Sequence, residues 1–186
     1  MLVLPTAYLP PVSYISALYR SQESCVEVHE NYQKQTLRNR CTIDSPNGPL
    51  SLSIPVEKQN GHVPMRDIRI SDHGNWRHQH WNALVSSYRQ SPFFEYYQDD
   101  FAPFYQRKWD FLVDYNQELL QLLCSLIDIQ PLVRRTEVYQ GLSPVSPEVA
   151  ALKPYYQVFA SKHGFLPDLS VVDLLFNMGP ESVLYL

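Results

Sequence analysis

The chain has 186 residues, of which 45% are apolar and 13% aromatic, so it can bury a core of one-domain size. Its formal net charge of −4 supplies no field that would attract a nucleic acid or an anionic membrane. The widely spaced Cys25, Cys41 and Cys124 argue against a disulfide framework and a zinc knuckle. These features predict a single cytoplasmic domain over residues 1–186, with no nucleic-acid partner.

Strands dominate the predicted N-terminal part of the chain. The apolar opening Met1–Pro5 predicts a buried strand. We expect no signal peptide or membrane span, because the segment lacks a basic start and is interrupted by Pro5, Pro10 and Pro11. Helical spacing from Val12 predicts a first helix, and alternation from Ser24 predicts a strand with one buried face. The turn residues Pro46–Gly48 between two alternating segments predict a β-hairpin, and Met65–Ser71 predicts a further strand.

Helices dominate the predicted second half. A period of four from Trp76 predicts one helix, and Ser91 with Pro92 marks the start of the next, which Pro103 should break or kink. Trp109–Asp128 carries a wide apolar stripe and predicts a third helix. Three further elements are expected, in order: a strand from Leu132, a helix beginning near Pro147, and an apolar helix capped by Ser170 and stopped by Gly179.

The order of these elements predicts an α/β fold, with α+β as the alternative. We expect one domain that combines a mixed N-terminal sheet, including the hairpin, with a helical C-terminal half. The motifs of well-known active sites are missing. The six glycines form neither a dinucleotide-binding loop nor a P-loop, and no serine lies in a nucleophile elbow. His78 and His80 would lie about 200° apart on a helix, so we expect no metal site, and no cofactor is identifiable.

The segment "NYQKQTLRNR", Asn31–Arg40, holds the densest set of hydrogen-bonding side chains. If it continues into a strand, Arg38 and Arg40 share one face and Asn39 points to the other. Two adjacent guanidinium groups repel unless an anion lies between them, and their planar shape suits phosphate or carboxylate. The alternative is a surface strand whose arginines pair with Glu27 or Glu30.

Several segments together resemble the WbqC-like protein family of bacteria, most closely the branch found in Bacteroidetes-type bacteria. They are "AYLPPVSYI", "HENYQKQTLRNRCTI", "LSLSIPVEK", "DIRISDHGNWRHQHWNALVSSYRQSPFFEYY" and "LSVVDLLFNMGP". Members occur among genes for O-antigen and other surface polysaccharides, and glycine transfer to a sugar has been suggested for the family. The resemblance therefore implies a sugar-modifying transferase of the cytoplasm.

The resemblance also assigns residues. The Tyr-x-Pro motif of the family matches Tyr8, its Asn-Arg pair matches Asn39 and Arg40, and its Trp and His positions match Trp76 and His80. Many members carry His-Gln-Pro ahead of the tyrosine, where this chain has Leu-Pro-Thr. A different residue would then act as the base, and His29 or His80 is the candidate.

Two hypotheses follow. In the first, the protein is a transferase for a nucleotide-activated or lipid-linked sugar, with an aminoacyl donor as a further partner. In the second, it is a non-catalytic binding module or assembly partner of the same pathway. The transferase hypothesis places phosphate on Lys34, Arg38 and Arg40, the proton on His29 or His80, and the sugar or base against Tyr8, Tyr32 and Trp76, with Asn39 shaping the site.

Overall fold

The structure, a computed structural model, describes residues 1–144 and 152–186. The helix expected near Pro147 therefore lies outside the described residues. The described strands and helices are, in order, β1 (Leu2–Pro5), α1 (Val12–Arg20), β2 (Ser24–Glu27), β3 (Arg40–Ile43), β4 (Leu50–Ser53), α2 (Trp76–Tyr88), α3 (Phe94–Gln106), α4 (Leu112–Ile127), β5 (Val133–Arg135), α5 (Ala160–His163) and α6 (Val171–Met178). This mixed α/β architecture, with helices dominating the second half, confirms the predicted fold class.

The strands form two separate units. β1, β2 and β5 make a parallel sheet in the order β1-β2-β5, while β3 and β4 make the predicted antiparallel hairpin. β2 is central, and all four of its residues are buried. The expectation that this strand has only one buried face was wrong, because a central strand of a covered parallel sheet is enclosed on both sides.

The strand expected over Met65–Ser71 was also wrong. Residues Met65–Asp67 form a 3₁₀ turn, and beyond them only single bridges occur, from Arg69 to Phe111 and from Ile70 to Val56. Pro64 precedes the turn and has no N–H to extend a ladder. The apolar alternation of this segment places Ile68 and Ile70 in the core without making them part of a sheet.

Of the two expected effects of Pro103, a break or a kink, the break does not occur, since α3 continues to Gln106. A proline removes one backbone hydrogen bond, and here the loss falls in the last turn. That turn is closed by the Arg107 N–H, which donates to the Pro103 carbonyl over 3.3 Å. Phe101 and Tyr105, on either side of Pro103, are buried and hold the turn against the core.

One large apolar cluster joins the two halves of the chain. It contains buried residues of β1, α1, the hairpin and all the long helices, and its largest fully buried side chains are Tyr8, Tyr88, Tyr115, Phe101 and Phe176. The hydroxyls of Tyr8 and Tyr88 have hydrogen-bond partners, as buried tyrosine hydroxyls usually do. Within the two described ranges, no helix is both long enough and apolar enough to cross a membrane.

Helix α6 ends at a glycine that no other residue can easily replace. Gly179 has φ +55°, and a Cβ atom there would lie 2.5 Å from Cδ1 of Phe93. The Gly179→Ala variant is expected to lose about 2–4 kcal/mol of unfolding free energy, from strained backbone and overpacking together. Urea denaturation measures this loss.

Gly61→Ala is the matched control. Gly61 also has a positive φ, +85°, but a Cβ atom there meets nothing within 4 Å. Its substitution should therefore report the backbone cost alone, about 1 kcal/mol. Equal losses in the two variants would contradict the argued contact with Phe93.

Candidate functional site

Two cavities are lined in part by residues of the polar segment Asn31–Arg40. The first, the Arg40 cavity, has a volume of about 220 Å³, and the second, the His29 cavity, has about 310 Å³. Gln35, Thr36, Leu37 and Arg40 line the Arg40 cavity together with Leu9, Pro11, Cys41, Thr42, Asp168 and Ser170. The His29 cavity is lined by His29, Glu30, Asn31, Gln33 and Tyr139.

The backbone around the Arg40 cavity is unusually strained. Of the residues that line it, Leu9, Gln35 and Asp168 have φ angles of +40°, +57° and +55°. Side chains other than glycine rarely adopt this region, and such conformations concentrate at functional sites. Leu9 is held there by its neighbours, since the Tyr8 N–H donates to the Leu37 carbonyl over 2.9 Å.

Arg40 supplies the positive charge of this cavity. Its Nε donates to Oγ of Ser53, the residue paired with it across the hairpin, over 2.8 Å. Among the described residues, the two terminal nitrogens of its guanidinium make no hydrogen bond or ion pair. The guanidinium is therefore oriented at one nitrogen and can bind an anion with the other two.

Asp168 supplies a negative charge to the same cavity. Its carboxylate accepts hydrogen bonds from the backbone N–H and from Oγ of Ser13, both over 2.8 Å. Ser13 lies in the first turn of α1, whose N-cap position is Pro11 and has no side-chain acceptor. Asp168 thus caps α1 from a distant part of the sequence while its charge faces the cavity that holds Arg40.

Arg38 does not share a face with Arg40, because β3 begins only at Arg40. Its guanidinium is buried and binds Glu30 through two bonds, Nε to Oε1 over 2.7 Å and Nη2 to Oε2 over 2.5 Å. A third bond links Nη1 to Oγ1 of Thr36 over 3.1 Å. The anion that Arg38 meets in this structure is Glu30, which lines the His29 cavity.

His29 lies at the carboxyl end of the central strand, where α/β sheets commonly bind ligands. Its Nε2 is 3.0 Å from the Thr136 carbonyl, and its Nδ1 is 3.1 Å from Nη1 of Arg66. Since a carbonyl only accepts and an arginine only donates, His29 is the neutral tautomer with its proton on Nε2. Buried Glu27 fixes the surrounding loops by accepting from the backbone of His29 and of Gln140, each over 2.8 Å.

Tyr8 and His80 meet inside the core. The Tyr8 hydroxyl lies 2.8 Å from Nδ1 of His80 and 3.0 Å from the Tyr105 hydroxyl, and the rings of Tyr8 and His80 stack. Burial lowers the pKa of His80 to about 4, although a hydrogen bond to the backbone of Ser53 favours the charged form. His80 is 5% exposed and lines neither cavity, so it serves here as a neutral partner for Tyr8.

The other predicted residues are dispersed. Trp76 packs edge-on to His80 in the core, and Tyr32 is half-buried, with its N–H bonded to the Val63 carbonyl over 3.0 Å. Lys34 is exposed in a turn, and buried Asn39 donates from Nδ2 to the Ile54 carbonyl over 3.0 Å. The structure therefore brings Tyr8, Trp76 and His80 together, links them to Arg40 through Ser53, and leaves His29 in the neighbouring cavity.

A second buried polar network was missed from the sequence. Asp173 accepts from the hydroxyls of Tyr88 and Tyr155 over 2.9 and 2.8 Å and from Nε2 of Gln157 over 2.9 Å. Burial raises the pKa of Asp173 to about 6, although these three bonds oppose the rise. Its one signal in the sequence was a charged residue within the apolar run Val171–Phe176.

Cys41 lines the Arg40 cavity but is not a reactive thiol, because burial raises its pKa far above the usual range. Across residues 1–144 and 152–186, no three His, Cys, Asp or Glu side chains lie where they could hold a metal ion. Arg40 and Asp168 therefore carry the polar chemistry of this cavity. They suit a small ligand with groups of both charges.

The fold and the cavities define a mixed α/β protein with a small polar pocket between its hairpin, its first loop and the N-terminus of its last helix. The model of the WbqC-like protein family matches residues 6–151, and the chain belongs to this family. It is also similar to the uncharacterised protein Rv1507c of Mycobacterium tuberculosis, with 24% identity over an alignment of 225 positions that covers 99% of this chain and 96% of the relative. No solved structure matches the chain significantly.

Proposed function

We propose that this protein is a transferase of O-antigen or other surface polysaccharide biosynthesis that moves glycine or another aminoacyl group to a sugar. The observation that carries the proposal is the pairing of Arg40 and Asp168 in one strained cavity. An aminoacyl donor presents an ammonium group to a carboxylate and a phosphate or carboxyl group to a guanidinium. The cavity, at about 220 Å³, is the size of a small ligand rather than of a complete nucleotide-activated sugar.

The partners of this reaction are an aminoacyl donor and a nucleotide-activated or lipid-linked sugar. His29 is the proton acceptor in the proposal, because it is half-buried, neutral and lines the second cavity of the segment Asn31–Arg40. Its bond to Arg66 must open for Nδ1 to accept a proton. The proposal also keeps the Bacteroidetes-type branch, and because this chain has Leu4, Pro5 and Thr6 in place of the family's His-Gln-Pro, it requires a base from elsewhere in the chain.

Replacing Arg40 is expected to weaken ligand binding. Arg40→Ala should reduce the affinity for glycine or a glycyl donor about tenfold to a hundredfold, because a charge-assisted hydrogen bond contributes about 1.5–3 kcal/mol. Isothermal titration calorimetry measures this affinity. In cells, mass spectrometry of surface glycans from a strain carrying only Arg40→Ala should show a missing aminoacyl substituent.

Arg89→Ala is the matched control, since Arg89 is an exposed arginine at the end of α2, outside both cavities. Arg40→Lys keeps the charge but loses the planar fork and should retain only part of the affinity. Unchanged glycans together with unchanged glycine binding in Arg40→Ala would contradict the proposal.

A non-catalytic binding module is the second candidate. It is favoured by the burial of His80 and by the bonds that occupy both ring nitrogens of His29, which leave neither histidine ready to accept a proton. If the protein is a binding module, His29→Asn should leave the surface glycans unchanged. If it is a transferase, the same variant should bind the donor normally while the aminoacyl substituent disappears from the glycans.

A further inference from the structure

We propose that the concave surface between α4 and β5 is a binding groove for an oligosaccharide. It consists of two adjoining cavities of about 580 and about 350 Å³ that share Gln117 and Gln121 of α4. Arg135 of β5 lines the first cavity and Val133 of β5 lines the second. The groove therefore lies between α4 and the two ends of β5, and it shares no lining residue with the Arg40 cavity.

Three uncommitted amides lie along this groove. Among the described residues, the side chains of Gln117, Gln121 and Gln130 make no hydrogen bond. An amide presents a donor and an acceptor side by side, which matches the paired hydroxyls of a sugar ring. On a convex helix face such glutamines would merely be solvated, whereas here the strand opposite turns them toward a concave surface.

Seven charged side chains line the groove, three basic and four acidic, and Asp128 is the one that belongs to the smaller cavity. The larger cavity is lined by three basic side chains, Arg107, Lys108 and Arg135, and three acidic ones, Asp110, Asp114 and Glu118. Arg107 pairs with Glu118 over 2.9 Å, and Arg135 pairs with Asp114 over 2.8 Å. Paired charges give no net field for a polyanion, but their outer lone pairs and protons still bind hydroxyl groups.

An aromatic side chain closes one end of the groove. Trp109 stacks on Phe104 at 5.5 Å between ring centroids, and the Arg107 guanidinium lies 3.9 Å from the Trp109 ring. The indole Nε1 is buried and has no hydrogen-bond partner within the described ranges. Because this nitrogen is buried, Trp109 can contribute to the groove only through its ring.

A peptide strand pairing with the edge of β5 is the rival occupant. β5 is an edge strand of three residues, and both Arg134 and Arg135 are exposed. Short edge strands that carry charges disfavour the addition of another strand. The edge of β5 thus favours the oligosaccharide over the peptide.

The inference names the acceptor of the proposed transfer and so rests on that function, but binding can be measured without any reaction. The full chain is applied to an array of neutral and acidic oligosaccharides of four to eight sugars, and the strongest ligand is titrated by calorimetry. We expect binding that weakens at least about tenfold in Gln117→Ala/Gln121→Ala, as expected for the loss of two hydrogen bonds. Gln22→Ala/Gln90→Ala, at two exposed glutamines outside the helices, should bind as the unaltered protein does.

Arg40→Ala separates this inference from the proposed function. Oligosaccharide binding that survives Arg40→Ala and is lost with the α4 glutamines supports the groove, even if no aminoacyl transfer is ever detected. The inference is overturned if the array shows no ligand, if the α4 double variant binds as tightly as the control, or if a peptide library yields the ligand instead.

Discussion

The Glu30→Ala variant is expected to unfold with a free energy about 3–5 kcal/mol below that of the unaltered protein. Glu30 and Arg38 are 7% and 4% exposed and joined by two hydrogen bonds, so the substitution leaves a buried guanidinium without its anion. The remaining bond from Arg38 to Thr36 cannot neutralise the charge. Urea denaturation followed by circular dichroism gives the free energy.

Glu30→Leu/Arg38→Met tests whether the loss comes from the stranded charge. Replacing both members of a buried ion pair with apolar residues of similar size is often nearly neutral, so this double variant should lie within about 2 kcal/mol of the unaltered protein. Arg134→Ala removes an exposed arginine whose ion pair with Glu23 spans 4.0 Å and should change stability by less than about 0.5 kcal/mol. A double variant as unstable as Glu30→Ala would refute the charge argument.

The second large effect concerns pH. Burial lowers the pKa of His80 to about 4 from an ordinary value of 6.5, so the folded state binds this proton less readily than the unfolded state. The neutral histidine therefore contributes stability above pH 6.5 that is lost as pH falls toward about 4, about 3 kcal/mol in all. Burial raises the pKa of Asp173 from 3.8 to about 6, so the folded state binds this proton more readily than the unfolded state. This contribution has the opposite sign, because it raises the free energy of unfolding by about 3 kcal/mol as the pH falls over nearly the same interval.

Because the two contributions oppose each other, each is visible only when the other is removed. As the pH falls from 6.5 to 4, the free energy of unfolding of His80→Asn should rise by about 3 kcal/mol relative to that of the unaltered protein. Asn retains an acceptor near the position of Nδ1 for the Tyr8 hydroxyl. Asp173→Asn should lose about 3 kcal/mol between pH 6 and pH 4. Chemical denaturation at each pH measures both, and His78→Asn, at an exposed position of α2, should follow the unaltered protein.

Features encoded by local spacing were predicted well from the sequence. The hairpin follows from Pro46–Gly48 between two alternating segments, and α4 follows from its apolar stripe. Ser170 caps α6 as expected, accepting from the Val172 N–H over 3.5 Å. In these segments the local preference and the tertiary packing agree, so the pattern alone predicts the element.

Features that depend on distant partners were not predictable from spacing. Ile68 and Ile70 alternate like a strand, but sheet formation requires a neighbour, and they find only single bridges. The sequence left two alternatives for Arg38, a bound anion or an ion pair with a glutamate. The structure shows the pair with Glu30, because Arg38 lies in the turn ahead of β3 and not in the strand. Asp168 escaped notice because its partner Ser13, and Arg40 of the same cavity, lie far away in the sequence.

The parallel order β1-β2-β5 has a consequence for how the chain is made. Thr136, which directly follows β5, donates a hydrogen bond to the carboxylate of Glu27 in β2. The two residues are 109 positions apart, and the hairpin and helices α2, α3 and α4 lie between them in the sequence. Loop-closure entropy makes such long-range parallel pairing slow. During synthesis, the edge of β2 that pairs with β5 therefore stays unpaired until Val133–Arg135 has emerged from the ribosome.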